Sequence, residues 1–592
     1  MKRFTLLSVG GEERTKELIN VALGRQEADL AIVNAKVLNV YTGELLDNYS
    51  VAVKGEWIAY AGDDPGDTIG PNTRIIDAKG KTIIPGLIDG HAHLCWLLKI
   101  DEFLKYAIKG GTTTIITETM EVFPIMGYEG VIDLLDSLND QPVKIFGTAP
   151  SMVSISKRAR GIATETLKKL LSRDDILGLG ESYWQDVVKE PEEFLPRFAE
   201  TLLSGKKLEG HSAGAKGKKL MAYLAPGISS CHEPINAQEV LERLRLGIYV
   251  MIREGSIRRD LEAISKIKDS GIDLGRLILV TDGVEPKDLV EKGYMEFVVQ
   301  KAVDCGFGPA DAIRMATINV AEYFSLDGII GGIAPGKYAD MLIVPDPETI
   351  KAEYVISKGK VVAMKGDLLV SPRKHAFSRE SMNSVQYQRE CRPSDFSIPA
   401  EKASSSVKVR VIDQVTDLVT KELIVTLPVI NGEIRSDASK DILKVAAIDR
   451  RYTPGEIFVG LIKGFRLHTG AIACSASWDT SDIIVVGEND NDMAGAVNRI
   501  YALQGGAVVY AGGEILSEIP LPVFGIMSDM PAQMLAERME KITKVIKNLG
   551  FPFDDPLLTL VTLTGAAIPF LRICEEGLVN LKDGKTLSLI VE

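Results

Sequence analysis

Residues 85–96 read PGLIDGHAHLCW, an apolar, strand-forming run that ends in two histidines one residue apart, His91 and His93. Residues i and i+2 of a strand face the same side, so both imidazoles can reach one ion. The surroundings of this run decide the fold. Between 86 and 334, short β-branched runs recur: TTTIIT at 112–117, VKIFGTA at 143–149, LGLGE at 177–181, YVMIREG at 249–255 and RLILVTD at 276–282. They alternate with stretches of helical period such as PEEFLPRFAETLLSG at 191–205 and AQEVLERLRLG at 237–247. Strand and helix in strict alternation predict a parallel α/β sheet, and at this length a closed (β/α)8 TIM-type barrel.

Outward from the barrel the texture changes on both sides. A short N-terminal helix precedes ADLAIVNAKVLNVYTGELLDNYSVAVKGEWIAYAGDD (28–64), whose apolar and polar residues alternate between Gly, Asn and Asp turns. Similar alternation returns in GGIAPGKYADMLIVPDPETIKAEYVISKGKVVAMKG (331–366). Residues 1–85 and 335–366 are therefore expected to form one β-sandwich, assembled from both flanks of the 86–334 barrel. Residues 367–405, polar and turn-rich without a sustained period, read as a linker or surface crossover. Beyond them, 406–592 combines strands such as IIVVGEN with helices such as DMPAQMLAERMEKITKVIKNLG, a mixed α/β C-terminal domain.

Bulk properties exclude several functions. A net charge of −13 over 592 residues, with no compensating Lys/Arg run, gives no field for a phosphate backbone, so nucleic acid is not expected as a partner. No apolar run approaches the roughly 18 residues a membrane helix needs, and the first residues lack a secretory pattern. A cytoplasmic protein without membrane contact is expected. The six cysteines are scattered with no CxxC pair, which points to reduced thiols and leaves metal binding to His and carboxylate.

Only six histidines are present, and four occupy predicted strand ends: His91, His93, His211 in LEGHSAG and His232 in ISSCHEP. Glu181 in LGLGESYW and Asp282 in ILVTDG occupy two more. The C-terminal ends of barrel strands converge on one face, so residues distant in sequence can meet there. An isolated HxH divides evenly between ligand and ornament, whereas six such residues favour a metal site of Zn, Fe or Mn type, with Glu181 able to bridge two ions. Metal-bound hydroxide would attack a carbon attached to nitrogen, and Asp282 is the candidate to carry its proton to the departing nitrogen.

Taken in order, PGLIDGHAHL, GTTTII, GLGE, GHSAG, SCHE, YVMIREGS, VTDG and RMATINVAEYF resemble the adenine deaminase family of the amidohydrolase superfamily. The resemblance continues through IAPGKYADMLIV, GLIKGFRLHTGAIA, IIVVGENDNDMAGAVNRI and LPVFGIMSDMPA. It implies a barrel with an attached β-sandwich, a homo-oligomer such as a dimer, and hydrolysis of adenine to hypoxanthine and ammonia. It also implies two divalent metal ions, iron or manganese ranked ahead of zinc, held by His91, His93, Glu181, His211, His232 and Asp282. Arg253, Glu254 and Ser256 of YVMIREGS match a signature near the substrate, the alternative being a buried Arg–Glu pair that steadies a strand end.

The chain departs from the family pattern at three places. After GTTT, where the family reads Asp-Pro-His-Glu, stand Glu118, Thr119, Met120 and Glu121. Glu118 remains a candidate for substrate binding and Glu121 for catalysis or a supporting contact, but a Met thioether replaces no imidazole. After HxH, a Glu-Ser-Ser type stretch becomes Leu94, Cys95 and Trp96. In the C-terminal domain a His-Asp-Ser-His-Asn run becomes Trp478, Asp479, Thr480, Ser481 and Asp482, and a histidine pair becomes Arg451 and Tyr452. Two further readings follow: hydrolysis of another purine, a pterin or a cyclic amide, and a catalytically silent purine-binding paralogue.

Overall fold

The computed structural model describes residues 4–400 and 405–591. Among them, eight parallel strands form a barrel: β1 (Leu87–Ala92), β2 (Thr112–Thr117), β3 (Lys144–Ala149), β4 (Ile176–Tyr183), β5 (Lys207–His211), β6 (Ser230–Cys231), β7 (Tyr249–Arg253) and β8 (Leu277–Val280). Strands β1 to β5 and β6 to β8 are two hydrogen-bonded runs. The amide of Ser229 donates to Leu208 (3.0 Å) and that of Asp282 to His91 (3.1 Å), which closes the ring at both seams. The expected (β/α)8 barrel is thus the observed one.

Strand alternation sorts the apolar residues into two layers. Ile88, Ile116, Leu177, Met251, Ile278 and Val280 share the barrel interior with Val320. Leu87, Ile115, Ile145, Leu208, Val250, Ile252 and Leu279 pack outward into the helix layer. Strands covered on both faces need apolar residues at nearly every position, which is why these runs read as continuous β-branched sequence.

Strands from both flanks of the barrel join in one nine-stranded sheet. Thr82–Pro85, which leads into the barrel, pairs antiparallel with Met341–Val344, which leaves it. Leu30–Leu38 pairs with Arg74–Asp77 along its first half and Thr82–Pro85 along its second, so the sheet branches over a shared apolar core.

The expected linker is a packed strap. His375 lies 2.7 Å from Asp133 on the helix Phe123–Leu138, and Ile398–Pro399 pairs with Glu433–Ile434 as the edge of a ten-stranded C-terminal sheet. Positions 401–404 of that expected linker lie outside the described residues. The helices Asp490–Leu503 and Ala532–Asn548 cover this sheet. The C-terminal domain docks on the barrel directly after HxH, where Leu97–Leu98 pairs parallel with Met527–Ser528. No described helix is long and apolar enough to cross a membrane.

Candidate metal centre

The two opening histidines reach the interior through a change in strand parity. Ile88 faces the interior cluster, and a Cβ on Gly90 would press on Val320 and Ile278, so inward positions of β1 are even up to residue 90. A register shift between Asp89 and Ala92 then inserts the extra residue of a bulge, and the odd positions His91 and His93 turn inward. Asp89 fixes that bulge. Fully buried, it accepts hydrogen bonds from the His91 amide (3.1 Å) and from the hydroxyls of Thr281 and Tyr294 (both 2.6 Å).

The six strand-end residues converge. Asp282 Oδ1 lies 3.4 Å from His91 Nε2 and 3.2 Å from His93 Nε2. Glu181 Oε2 lies 2.7 Å from His211 Nδ1 and 3.0 Å from His232 Nε2, while its other oxygen is 4.0 Å from His93 Nε2. The His91 and His232 rings stack at 4.3 Å. Among the described residues four groups of closely spaced donors result: His91, His93 and Asp282; His91, Glu181 and His232; His211, His232 and Glu233; and His91, Glu118 and Glu209.

Carboxylates behind the first two histidines set the direction of their lone pairs. His91 Nδ1 faces Glu209 at 3.3 Å and Glu118 at 3.8 Å, and His93 Nδ1 hydrogen-bonds Glu121. The Nε2 atoms therefore point into the cluster. His91 Nε2 is buried without a hydrogen-bond partner among the described residues, an expense that a cation would offset. Four buried carboxylates (Glu118, Glu181, Glu209 and Asp282) and the partly buried Glu233 crowd the site against one guanidinium, Arg253. Imidazole and carboxylate in this ratio fit a divalent ion.

The electrostatics follow from that crowding. Burial opposes charge on His91 and His93, but Asp282, Glu209 and Glu121 outweigh it and hold both imidazoles well above their usual pKa. Burial likewise opposes charge on Asp282, yet the facing imidazoles of His91 and His93 and the charge of Arg253 keep its carboxyl well below the usual range. Glu118, with fewer cations near, is pushed by burial up to about 8.

Not every predicted site residue faces the cavity. Arg253 does, with Nη1 2.6 Å from Glu233 and 3.2 Å from Asp282. Glu254, the residue just past the strand end, turns away from the cavity and pairs with Lys301 at 2.6 Å. Neither substrate contact nor an Arg253–Glu254 pair describes it. The Ser256 hydroxyl donates to Asp288 (2.8 Å) and accepts from the Glu285 amide (2.8 Å), also outside the cavity lining. Gly255 explains the signature, because a Cβ there would meet the carbonyl oxygens of Thr281 at 2.0 Å and Gly283 at 2.4 Å. The REGS segment thus docks against the turn that carries Asp282, itself at φ 55°. Glu118 lies beneath the cavity, where it accepts from Thr148 (2.8 Å), so the expectation of substrate contact is corrected to a place behind His91. Glu121 does line the cavity, but both its oxygens are engaged, one by His93 and one by Cys95 Sγ at 3.2 Å.

Two acidic residues of the centre escaped the sequence reading. Glu209 stands two residues before His211, so the i, i+2 rule applied to HxH would have found it. Glu233 lies 3.2 Å from His232 Nε2; it follows the strand end, where alternation no longer predicts direction.

The centre opens into a cavity of about 330 Å³, within the range of small-molecule sites. Its barrel side carries Trp96, Met120, Glu121 and Tyr183; the C-terminal domain supplies Leu418, Trp478, Asp479 and Ile568. Trp96 meets Trp478 edge-to-face at 5.8 Å across the domain seam. Asp479 accepts from the Tyr183 hydroxyl (3.2 Å) and the Ala566 amide (2.8 Å), and burial pushes its carboxyl up to about 7.

Comparison with known proteins agrees with this architecture. Residues 82–362 match the amidohydrolase family, and 417–585 match the adenine deaminase C-terminal domain. An adenine deaminase of Moorella thermoacetica is 35% identical over 98% of this chain and 98% of its own length. One from Clostridium botulinum (strain ATCC 19397 / Type A) is 34% identical over the same shares. With both domains matched by family and relatives aligned along nearly its whole length, the chain belongs to the adenine deaminase family.

Proposed function

We propose that this protein hydrolyses adenine to hypoxanthine and ammonia at a divalent-metal centre held by His91, His93, Glu181, His211, His232 and Asp282. The observation that carries the reading is the inward-facing His91 Nε2, buried and unpartnered among the described residues inside a ring of carboxylates. Membership of the family supplies the substrate. Glu181 faces His211 and His232 with one oxygen and His93, at 4.0 Å, with the other, which supports a two-ion site whose ligands would include Glu181. Manganese or iron ranks ahead of zinc.

A bound divalent ion supplies acidity, bringing the pKa of water near neutrality and polarising the ring for attack. The protein's own residues do the rest. Asp282 accepts the proton of the attacking water at its carboxylate and delivers it to the amine leaving C6. Arg253, 3.2 Å from Oδ2, keeps that carboxylate ionised and oriented. Glu121 and Glu209 hold the rings of His93 and His91 in place. The C-terminal wall excludes bulk water from the reacting carbon.

A second reading, another aminated heterocycle, draws on Trp96, Met120 and Trp478 in the cavity wall, where the family resemblance expects polar residues. Ammonia release from adenine, guanine, other aminopurines and pterins, after reconstitution with Mn, Fe or Zn, separates the two. Turnover of adenine is expected; turnover of another heterocycle with none of adenine under any metal would refute the first reading.

A further inference from the structure

The C-terminal domain contributes one ionisable group to the cavity wall, and the barrel chemistry leaves it unused. Asp479 sits in the turn before the strand Asp482–Gly487, held at φ 60°. Three contacts fix it: Ser154 donates to its carbonyl, Ala566 donates to Oδ2 (2.8 Å), and Tyr183, itself in the cavity wall, donates to the carboxylate (3.2 Å to Oδ1). Tyr183 follows the proposed ligand Glu181 by two residues, and its ring lies 4.7 Å from that of His211. The tyrosine therefore spans from the metal centre to Asp479. A carboxylate oxygen carries two lone pairs, and among the described residues only the tyrosine hydroxyl donates to Oδ1.

The reaction fixes how a purine must lie. Its amino-bearing carbon faces the metal centre, so the five-membered ring points away from it, toward the wall that the C-terminal domain provides. An unsubstituted purine carries an N–H on that ring, and a buried carboxylate is the matching acceptor.

Resting on the proposed deaminase reading, we propose that Asp479 is a specificity-determining residue: its Oδ1 accepts the five-membered-ring N–H of the substrate, so that free bases are favoured over ring-N-substituted ones. A base alkylated at that nitrogen brings no donor and leaves the carboxylate desolvated and unpaired, the situation that discriminates most strongly between substrates.

The test compares adenine with 9-methyladenine in the metal-loaded full chain, as wild type, Asp479→Asn and Asp479→Ala, with metal content and thermal unfolding measured alongside. For Asp479→Ala, kcat/KM for adenine is expected to fall by about 100-fold, mostly through KM, as a charge-assisted hydrogen bond is lost. The 9-methyladenine value should change little, so the preference for adenine collapses. Asp479→Asn, which keeps an acceptor oxygen and nearly the same shape, should retain part of the preference. Equal losses on both bases, or no change on either, would overturn the proposal. A metal-replete wild type inactive on adenine would refute the deaminase reading instead. Asp479 is then tested by equilibrium dialysis of the two bases: a preference for adenine abolished by Asp479→Ala supports the role, and equal affinities in the wild type overturn it.

Discussion

Removing the carboxylate behind His91 tests the proposed metal centre without touching a proposed ligand. Glu209 is buried, and its Oε2 lies 3.3 Å from His91 Nδ1. Partners of this kind fix the tautomer and raise ligand basicity, and their loss costs about 10- to 100-fold in metal affinity. The distance decides where in that range each variant falls. At 3.3 Å the contact is longer than the roughly 2.8 Å of a strong charge-assisted bond. Glu209→Gln keeps an acceptor in place and loses only the charge, so about tenfold is expected, near 1.4 kcal/mol. Glu209→Leu removes the acceptor and leaves Glu118, at 3.8 Å, as the nearest substitute. About 100-fold is expected there, near 2.7 kcal/mol. Competition between the apo-protein and a chromogenic chelator for Mn²⁺ reads both directly. Saturating metal should restore most of the ammonia release, because Glu209 positions a ligand and touches no substrate. A Glu209→Leu protein that holds Mn²⁺ as tightly as wild type would refute the assignment of His91 as a ligand oriented from behind.

Three further outcomes are expected. Met120 lines the cavity beside Glu121, and Met120→His should raise kcat/KM for adenine by about tenfold or more if an imidazole there serves proton transfer; an unchanged rate removes that position from the explanation. Gly255→Ala sets a methyl group against the Thr281 and Gly283 carbonyls, so the turn bearing Asp282 must move, and metal stoichiometry after dialysis should fall well below that of wild type. Asp482 is fully buried beside Glu575 and Asp449, and burial, then those two carboxylates, push its carboxyl well above the usual range. The folded state therefore binds the proton more tightly than the unfolded chain, and stability falls as pH climbs from about 4 toward the folded value. Asp482→Asn cannot titrate, so its Tm should exceed that of wild type by about 2 °C or more at pH 8, with the gap narrowing toward pH 5.

The barrel was legible because a strand covered on both faces must be apolar throughout and a parallel connection demands a helix; TTTIIT and RLILVTD carry that signal unaided. The ligand-type residues were legible because a barrel gathers strand ends at one face. Direction was harder. Glu254 was expected to share the role of Arg253, yet it lies just past the strand end and turns to Lys301 while Arg253 faces Glu233. His91 and His93 face inward only because a bulge at Asp89–Ala92 reverses the parity set by Ile88 and Gly90, and nothing in LIDGHAH announces that extra residue. The part played by Asp479 was invisible for another reason: it depends on a docking between segments almost 300 residues apart, recorded in the hydrogen bond from Tyr183.

The residues after HxH gain a physical account from that docking. Leu94 and Cys95 are buried, at 2% and 0% exposure, and Leu97–Leu98 carries the strand that receives Met527–Ser528. A polar side chain in the buried place of Leu94 would need a hydrogen-bond partner there, whereas Cys95 already has one in Glu121. Trp96 then meets the cavity, and its indole face needs a cover that water does not provide. Trp478 supplies one from the other domain, in an edge-to-face contact worth about 0.5–1.5 kcal/mol beyond the area the two rings bury. The apolar tail and the tryptophan in place of the C-terminal histidine are therefore one adjustment made on both sides of one wall. That wall adjoins Asp479, whose carboxylate is held in place by Tyr183 and the Ala566 amide.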